Sequence, residues 1–165
     1  MIQKKICLLG AFAVGKTSLI RRYVQSVFDE KYISTIGVKV DKKSLTVAGR
    51  EMQLLIWDIQ GKEDNKAVPE SYLRGMAGGL IVLDGTRKET LGSLQALKHQ
   101  VRSVVGEVPF VVLINKLDLY AQWEISENDI ARLIDRRFSV LRTSAKTGEQ
   151  VEEAFQRLAR KMMTS

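Results

Sequence analysis

At 165 residues the chain suits one domain that buries somewhere near two-thirds of the surface its unfolded form exposes. Ordinary apolar and charged fractions with only two prolines exclude a disordered or Pro-rich chain, and the strand-sized apolar runs fall short of the ~20 residues that span a bilayer. The net charge of +7 attracts polyanions in general, yet the basic residues recur along the whole chain, in pairs such as Arg21-Arg22, Lys42-Lys43 and Arg136-Arg137, rather than in one block, which argues against a nucleic-acid partner.

Apolar runs of strand length alternate with longer stretches of helical period, the pattern of an α/β chain with a mostly parallel sheet. Residues 2–9 predict a first strand that follows Met1 directly, without the apolar region and cleavage site of a signal peptide. Its Cys7 is the only cysteine, so no intramolecular disulfide or Cys-based zinc site is available, and the apolar strand predicts a buried, inert thiol. A helix is predicted over 16–25, then a polar, irregular stretch over 26–37. Strands over 38–47 and 50–58, joined through Ala48-Gly49, predict an antiparallel hairpin. A polar segment over 59–76 with one short helix leads to strand 78–84, helix 88–105, strand 109–115, helix 127–137, strand 138–142 and helix 148–162. Gly106 before Pro109 predicts a helix stop, and Ser126 with Asp129 a capping box. The expectation is six strands, five helices, one antiparallel hairpin edge and a single domain over 1–165, with no internal repeat.

Gly10-Ala11-Phe12-Ala13-Val14-Gly15-Lys16-Thr17 fits G-x-x-x-x-G-K-[ST] between a predicted strand and a predicted helix, the setting a phosphate loop requires. Two glycines let the backbone wrap phosphate oxygens, so that successive N–H groups and the positive helix end face the anion. Lys16 supplies a mobile charge for the β- and γ-phosphates, and the Thr17 hydroxyl suits Mg²⁺. The full pattern in this setting outweighs a glycine-bounded turn that merely carries a lysine. The base is chosen downstream: Asn115-Lys116-Leu117-Asp118 lies at a strand end, where an open α/β sheet places its ligand crevice. The Asp118 carboxylate is an acceptor pair matched to the N1–H and 2-amino donors of guanine, an arrangement adenine lacks. After the next strand, backbone N–H groups of Thr143-Ser144-Ala145-Lys146 suit the guanine O6 acceptor. Each tetrapeptide alone reads as a polar loop; in this order, behind a phosphate loop, they point to GTP or GDP.

These motifs together resemble the Ras superfamily of small GTPases, most closely its Rab and Ras branches, over essentially the whole chain. The resemblance implies a P-loop GTPase fold, GTP/GDP and Mg²⁺ as cofactors, and nucleotide contacts from Gly10, Ala13, Val14, Gly15, Lys16, Thr17 and Ser18, and from Asn115, Lys116, Asp118, Ser144, Ala145 and Lys146. It also implies that Thr35 joins the Mg²⁺ shell beside Thr17, that Phe28 lies against the guanine ring, and that Asp58 in Trp57-Asp58-Ile59-Gln60-Gly61-Lys62-Glu63 approaches Mg²⁺ through water. Gly61 stands where the family's glycine gives its N–H to the γ-phosphate, so Lys16, Thr35 and Gly61 make up the implied catalytic set, with whatever residues 60 and 62 supply.

Two positions depart from the family pattern. Lys62 stands where a water-positioning glutamine is usual, and a protonated lysine has donors only, so it cannot accept from an attacking water. Gln60 offers an amide two residues earlier. Phe12 puts a bulky ring in the phosphate loop, near the approach of an arginine finger from a GTPase-activating protein. Both predict slow hydrolysis. A molecular switch is therefore weighed against a nucleotide-stabilised interaction module with little turnover, and an ATP-using enzyme is disfavoured by Asp118. The switch reading implies an effector that reads segments 32–43 and 59–76, with an exchange factor and an activating protein. No lipid-anchor motif follows Met1 or ends the chain, so a cytoplasmic monomer without a membrane anchor is expected.

Overall fold

The computed structural model describes residues 1–24, 32–33, 38–59 and 68–164, with Tyr32 and Ile33 described by backbone alone. Among the described residues seven strands form one sheet: β1 (Ile2–Leu9), β2 (Tyr32–Ile33), β3 (Lys39–Val47), β4 (Arg50–Asp58), β5 (Met76–Asp84), β6 (Phe110–Asn115) and β7 (Val140–Arg142), in spatial order β2-β3-β4-β1-β5-β6-β7. The pairs β1–β4, β1–β5, β5–β6 and β6–β7 are parallel, and β3 is antiparallel to both β2 and β4. Six of these strands answer to predicted ones. The two-residue β2 lies in the stretch expected to be irregular, and two residues are too few to show a period-2 pattern.

The helices are α1 (Lys16–Val24), α2 (Glu70–Leu73), α3 (Ser93–Val105), α4 (Glu127–Asp135) and α5 (Val151–Thr164). Alternation along the central strands sorts the core into two clusters. Ile6 and Leu8 of β1, Leu80 and Val82 of β5 and Val111 and Leu113 of β6 pack with α1 and α5, where Tyr23 and Phe155 stack at 3.9 Å. Cys7 and Leu9, Ile81 and Leu83, and Val112 and Ile114 face the other way, against α2, α3 and α4. A sheet covered on both faces explains why its central strands read as unbroken apolar runs. Burial pushes the Cys7 thiol up to about 12, so it stays protonated, as the apolar strand predicts.

Helix ends follow local chemistry. Gly106, with φ 81°, ends α3 as predicted, its N–H returning to the Arg102 carbonyl. Residues 88–92, predicted as the first turn of α3, instead form a 3₁₀ segment, because the Thr90 hydroxyl donates to the Arg87 carbonyl at 2.8 Å and accepts from the Asp84 N–H at 3.1 Å. The capping box on α4 is complete: the Ser126 hydroxyl accepts from the Asp129 N–H at 3.1 Å, and the Asp129 carboxylate accepts from the Ser126 N–H at 2.8 Å. Among the described residues no helix is long and apolar enough to cross a membrane. Ser126→Ala is expected to cost about 1 kcal/mol, read as a lower urea midpoint at unchanged m-value.

Candidate functional site

The chain reverses its direction of travel across the sheet at β1, which lies between β4 and β5, and the crevice of an open α/β sheet forms beyond the carboxyl ends of the strands at such a point. Most of the buried polar residues among those described gather there. Asp58, Asp84 and Asn115 are the last residues of β4, β5 and β6, Thr143 and Ser144 follow β7, and Lys16 starts α1; all are at most 6% exposed. Buried polar groups are the informative exceptions in a protein interior, and these line one edge.

The loop after β1 wraps a cavity of about 420 Å³ whose lining includes Phe12 to Ser18, Asp58 and Lys116. Its backbone is held one carbonyl at a time. Lys16 Nζ donates to the carbonyls of Gly10 at 3.0 Å and Ala11 at 3.1 Å, Arg87 Nη2 to that of Phe12 at 2.6 Å, Lys116 Nζ to that of Ala13 at 3.2 Å and Asn115 Nδ2 to that of Val14 at 3.0 Å. The Gly15 carbonyl accepts from the Leu19 N–H at 2.9 Å inside α1. Peptide planarity means that each committed oxygen also fixes the direction of the following N–H. Glycine is required at both ends of the loop: a Cβ on Gly10 would strike the Val82 carbonyl, and one on Gly15 the Asn115 amide. Burial is the main cause that holds the Lys16 ammonium down at about 8; the Asp58 carboxylate opposes that shift and the Arg87 guanidinium adds to it.

At the start of α1 the Thr17 hydroxyl donates to Asp58 Oδ2 at 2.5 Å. The other oxygen, Oδ1, is buried and has no hydrogen-bond partner among the described residues. An unpaired buried carboxylate oxygen beside a hydroxyl is a hard-oxygen donor set of the kind Mg²⁺ uses with few protein ligands. Among the described residues no cluster of three or more His, Cys, Asp or Glu makes an all-protein metal cage.

Three loops meet at Asn115. Its amide nitrogen bonds the Val14 carbonyl, while its oxygen accepts from the Thr143 hydroxyl at 3.1 Å and the Ala145 N–H at 3.3 Å. The exposed Asp118 carboxylate is steadied by the Ser144 hydroxyl at 2.8 Å. A phosphate-type loop, a hydroxyl–carboxylate pair and an oriented acceptor after β6 thus share one edge. The sequence matches the Ras family over residues 5–164. This chain belongs to the Ras family of small GTPases. It is similar to Ras-related protein Rab-4B of Homo sapiens and of Rattus norvegicus, 35% identical over 161 residues that span 96% of this chain and 76% of theirs. Ras-related protein Rab-4A of Danio rerio is likewise 35% identical over 96% of this chain and 76% of its own.

In this Ras-family chain the structure brings together Gly10, Ala13 to Ser18, Asp58, Asn115, Lys116, Asp118, Ser144 and Ala145. Lys146, on the same loop as Ala145, is exposed. The N–H groups of Ser144 and Ala145 are engaged by the Glu149 carbonyl and by the Asn115 side chain. Phe28, Thr35, Gln60, Gly61 and Lys62 lie outside the described residues.

Sequence reasoning missed three contributors. Trp123 donates from Nε1 to the Lys116 carbonyl at 2.8 Å and supports that residue in its left-handed conformation, φ 72°. Its ring lies against Gly85, where a Cβ would collide with it. Arg87 also reaches the phosphate loop, at the Phe12 carbonyl, and Asp84 holds it there, both from a segment that fits no phosphate-binding motif. Asn115→Ala would orphan the Val14 carbonyl, the Thr143 hydroxyl and the Ala145 N–H, each at about 1–3 kcal/mol. A thermal melt of the free protein should show a large fall in Tm, and an unchanged Tm would refute the three-loop tie.

Proposed function

We propose that this chain is a guanine-nucleotide switch, one G domain over residues 1–165, that holds GTP or GDP with Mg²⁺ and hydrolyses GTP slowly. The observation that carries the reading is the Asn115 tie, which couples the phosphate loop to the two loops suited to guanine. The fixed N–H groups of Gly10 to Lys16 and the Lys16 ammonium take the β- and γ-phosphates. Asp118, steadied by Ser144, selects guanine, Lys116 lies along the base, and Lys146 N–H meets the O6 atom. Phe28 adds a ring to the base side.

Mg²⁺ supplies charge neutralisation of the phosphates when bound. Thr17 and Thr35 would hold it, with Asp58 acting through water, a role supported by the unpaired Asp58 Oδ1. Gly61 meets the γ-phosphate, so GTP orders the segments around Thr35 and Gly61, and segments 32–43 and 59–76 are the surface an effector reads. Family members bind effectors, exchange factors and activating proteins in a nucleotide-dependent manner, and the same partner classes are proposed here, for a monomer acting in the cytoplasm without nucleic acid.

Slow turnover follows from Lys62, which cannot accept from the attacking water, and from Phe12, half-exposed at the cavity rim. Gln60 is the amide left to act near the γ-phosphate. The same two residues favour the second reading, an interaction module with little turnover. Single-turnover hydrolysis separates them: a slow wild type accelerated on the order of 10-fold or more by Lys62→Gln supports the slow switch. A wild type with no turnover, unchanged in the variant, supports the module.

Base choice is tested apart from turnover. Asp118→Asn should reduce the preference for GTP over ATP by roughly 100-fold, since two charge-assisted hydrogen bonds are weakened. Competition binding of the two nucleotides measures it, and an unchanged preference would remove Asp118 from the site.

A further inference from the structure

Asp84, fully buried at the end of β5, holds two cations on one oxygen. Its Oδ2 accepts from Lys116 Nζ at 2.7 Å and Arg87 Nε at 3.0 Å, while Oδ1 accepts from the Thr86 N–H at 2.9 Å and hydroxyl at 2.7 Å. All the lone-pair directions of this carboxylate are in use. Each cation then extends to the phosphate loop, Lys116 to the Ala13 carbonyl and Arg87 to the Phe12 carbonyl. Lys116 belongs to the motif after β6. Arg87 belongs to no motif and has no role in the function proposed above.

Its placement is more than a tether requires. The neighbouring Val14 carbonyl is held by a neutral amide, so a loop carbonyl needs no charge to fix it. Among the described residues three cations, Lys16, Arg87 and Lys116, stand at the loop against two carboxylates, Asp58 and Asp84; Lys16 and Lys116 line the cavity, and Arg87 reaches its rim through the carbonyl of Phe12, a lining residue, which leaves one positive charge in excess in this group. Arginine suits the position because its planar fork meets Asp84 through Nε and Phe12 through Nη2 at once. Those two bonds use two of its five N–H donors, and its side chain remains one-third exposed.

We propose that Arg87 is a specificity-determining cation of the phosphate site, held by Asp84 against the Phe12 carbonyl, that favours nucleoside di- and triphosphates over monophosphates. The inference rests on the guanine-nucleotide reading and adds a residue to it. Arg87 acts on the charge that distinguishes GDP and GTP from GMP, whereas a residue that only braced the loop would affect all three alike.

The test is competition binding of GMP, GDP and GTP with Mg²⁺ to the full chain, as wild type, Arg87→Gln and Arg87→Lys, with thermal melts of each. Arg87→Gln is expected to weaken GDP and GTP on the order of tenfold while GMP changes far less. Arg87→Lys should recover part of the loss, and in Arg87→Gln the affinity for GTP should fall less steeply with added salt than in the wild type. An equal loss for all three nucleotides, no loss, or no difference between the glutamine and lysine variants would overturn the proposal. If the wild type itself binds neither GDP nor GTP, the guanine-nucleotide reading falls as well, a result distinct from wild-type binding that is indifferent to Arg87.

Discussion

A glycine-bounded loop has little packing of its own, so the peptide planes from Gly10 to Gly15 depend on donors brought by the elements around them. Six successive carbonyls are occupied, the first five by side chains of Lys16, Arg87, Lys116 and Asn115 and the last by the turn of α1. Because a peptide is planar, this outer set of bonds determines where the loop's N–H groups point. The direction of the loop's N–H groups is thus set through its carbonyls, and the strands β5 and β6 contribute through Asp84 and Asn115 at their ends.

That dependence explains the cluster of buried polar residues at one edge of the sheet. Asp84 would be costly alone in the interior. Burial favours its neutral form, but hydrogen bonds from Lys116, Thr86 and Arg87 outweigh burial and hold the carboxyl below the usual carboxylate range. The ionised carboxylate in turn aims both cations at the loop. Asn115 does the same work without charge, since an amide both donates and accepts and can join a carbonyl to a hydroxyl and an N–H. Local precision at this edge rests on such shared partners more than on any one bond.

The fold was legible because the central strands are buried on both faces and appear as unbroken apolar runs between helical periods. Ser126 with Asp129 and Gly106 marked helix ends by chemistry that acts within four residues. The 3₁₀ segment over 88–92 was missed because it depends on the Thr90 hydroxyl reaching back to Asp84, a contact that no helical period encodes. Motif residues of the candidate site were readable since their spacing reflects a loop of fixed length. Asp84, Arg87 and Trp123 were not, because they join the site through the pairing of β5 with β6 and the packing of an indole on Gly85. Those relations exist only once the sheet is assembled.

The Trp123 contact has an optical consequence. The chain holds two tryptophans, and Trp57 lies on β4 with the Lys5 ammonium 3.6 Å from its ring. Trp123 sits half-buried against Gly85, with its indole N–H on the Lys116 carbonyl and Tyr120 5.1 Å away. Indole emission responds to the polarity and hydrogen bonding of its surroundings, so the protein carries a native fluorophore wired to the backbone of Lys116. With Trp57 replaced by phenylalanine, that emission becomes a single-site, label-free signal of what happens in the loop after β6.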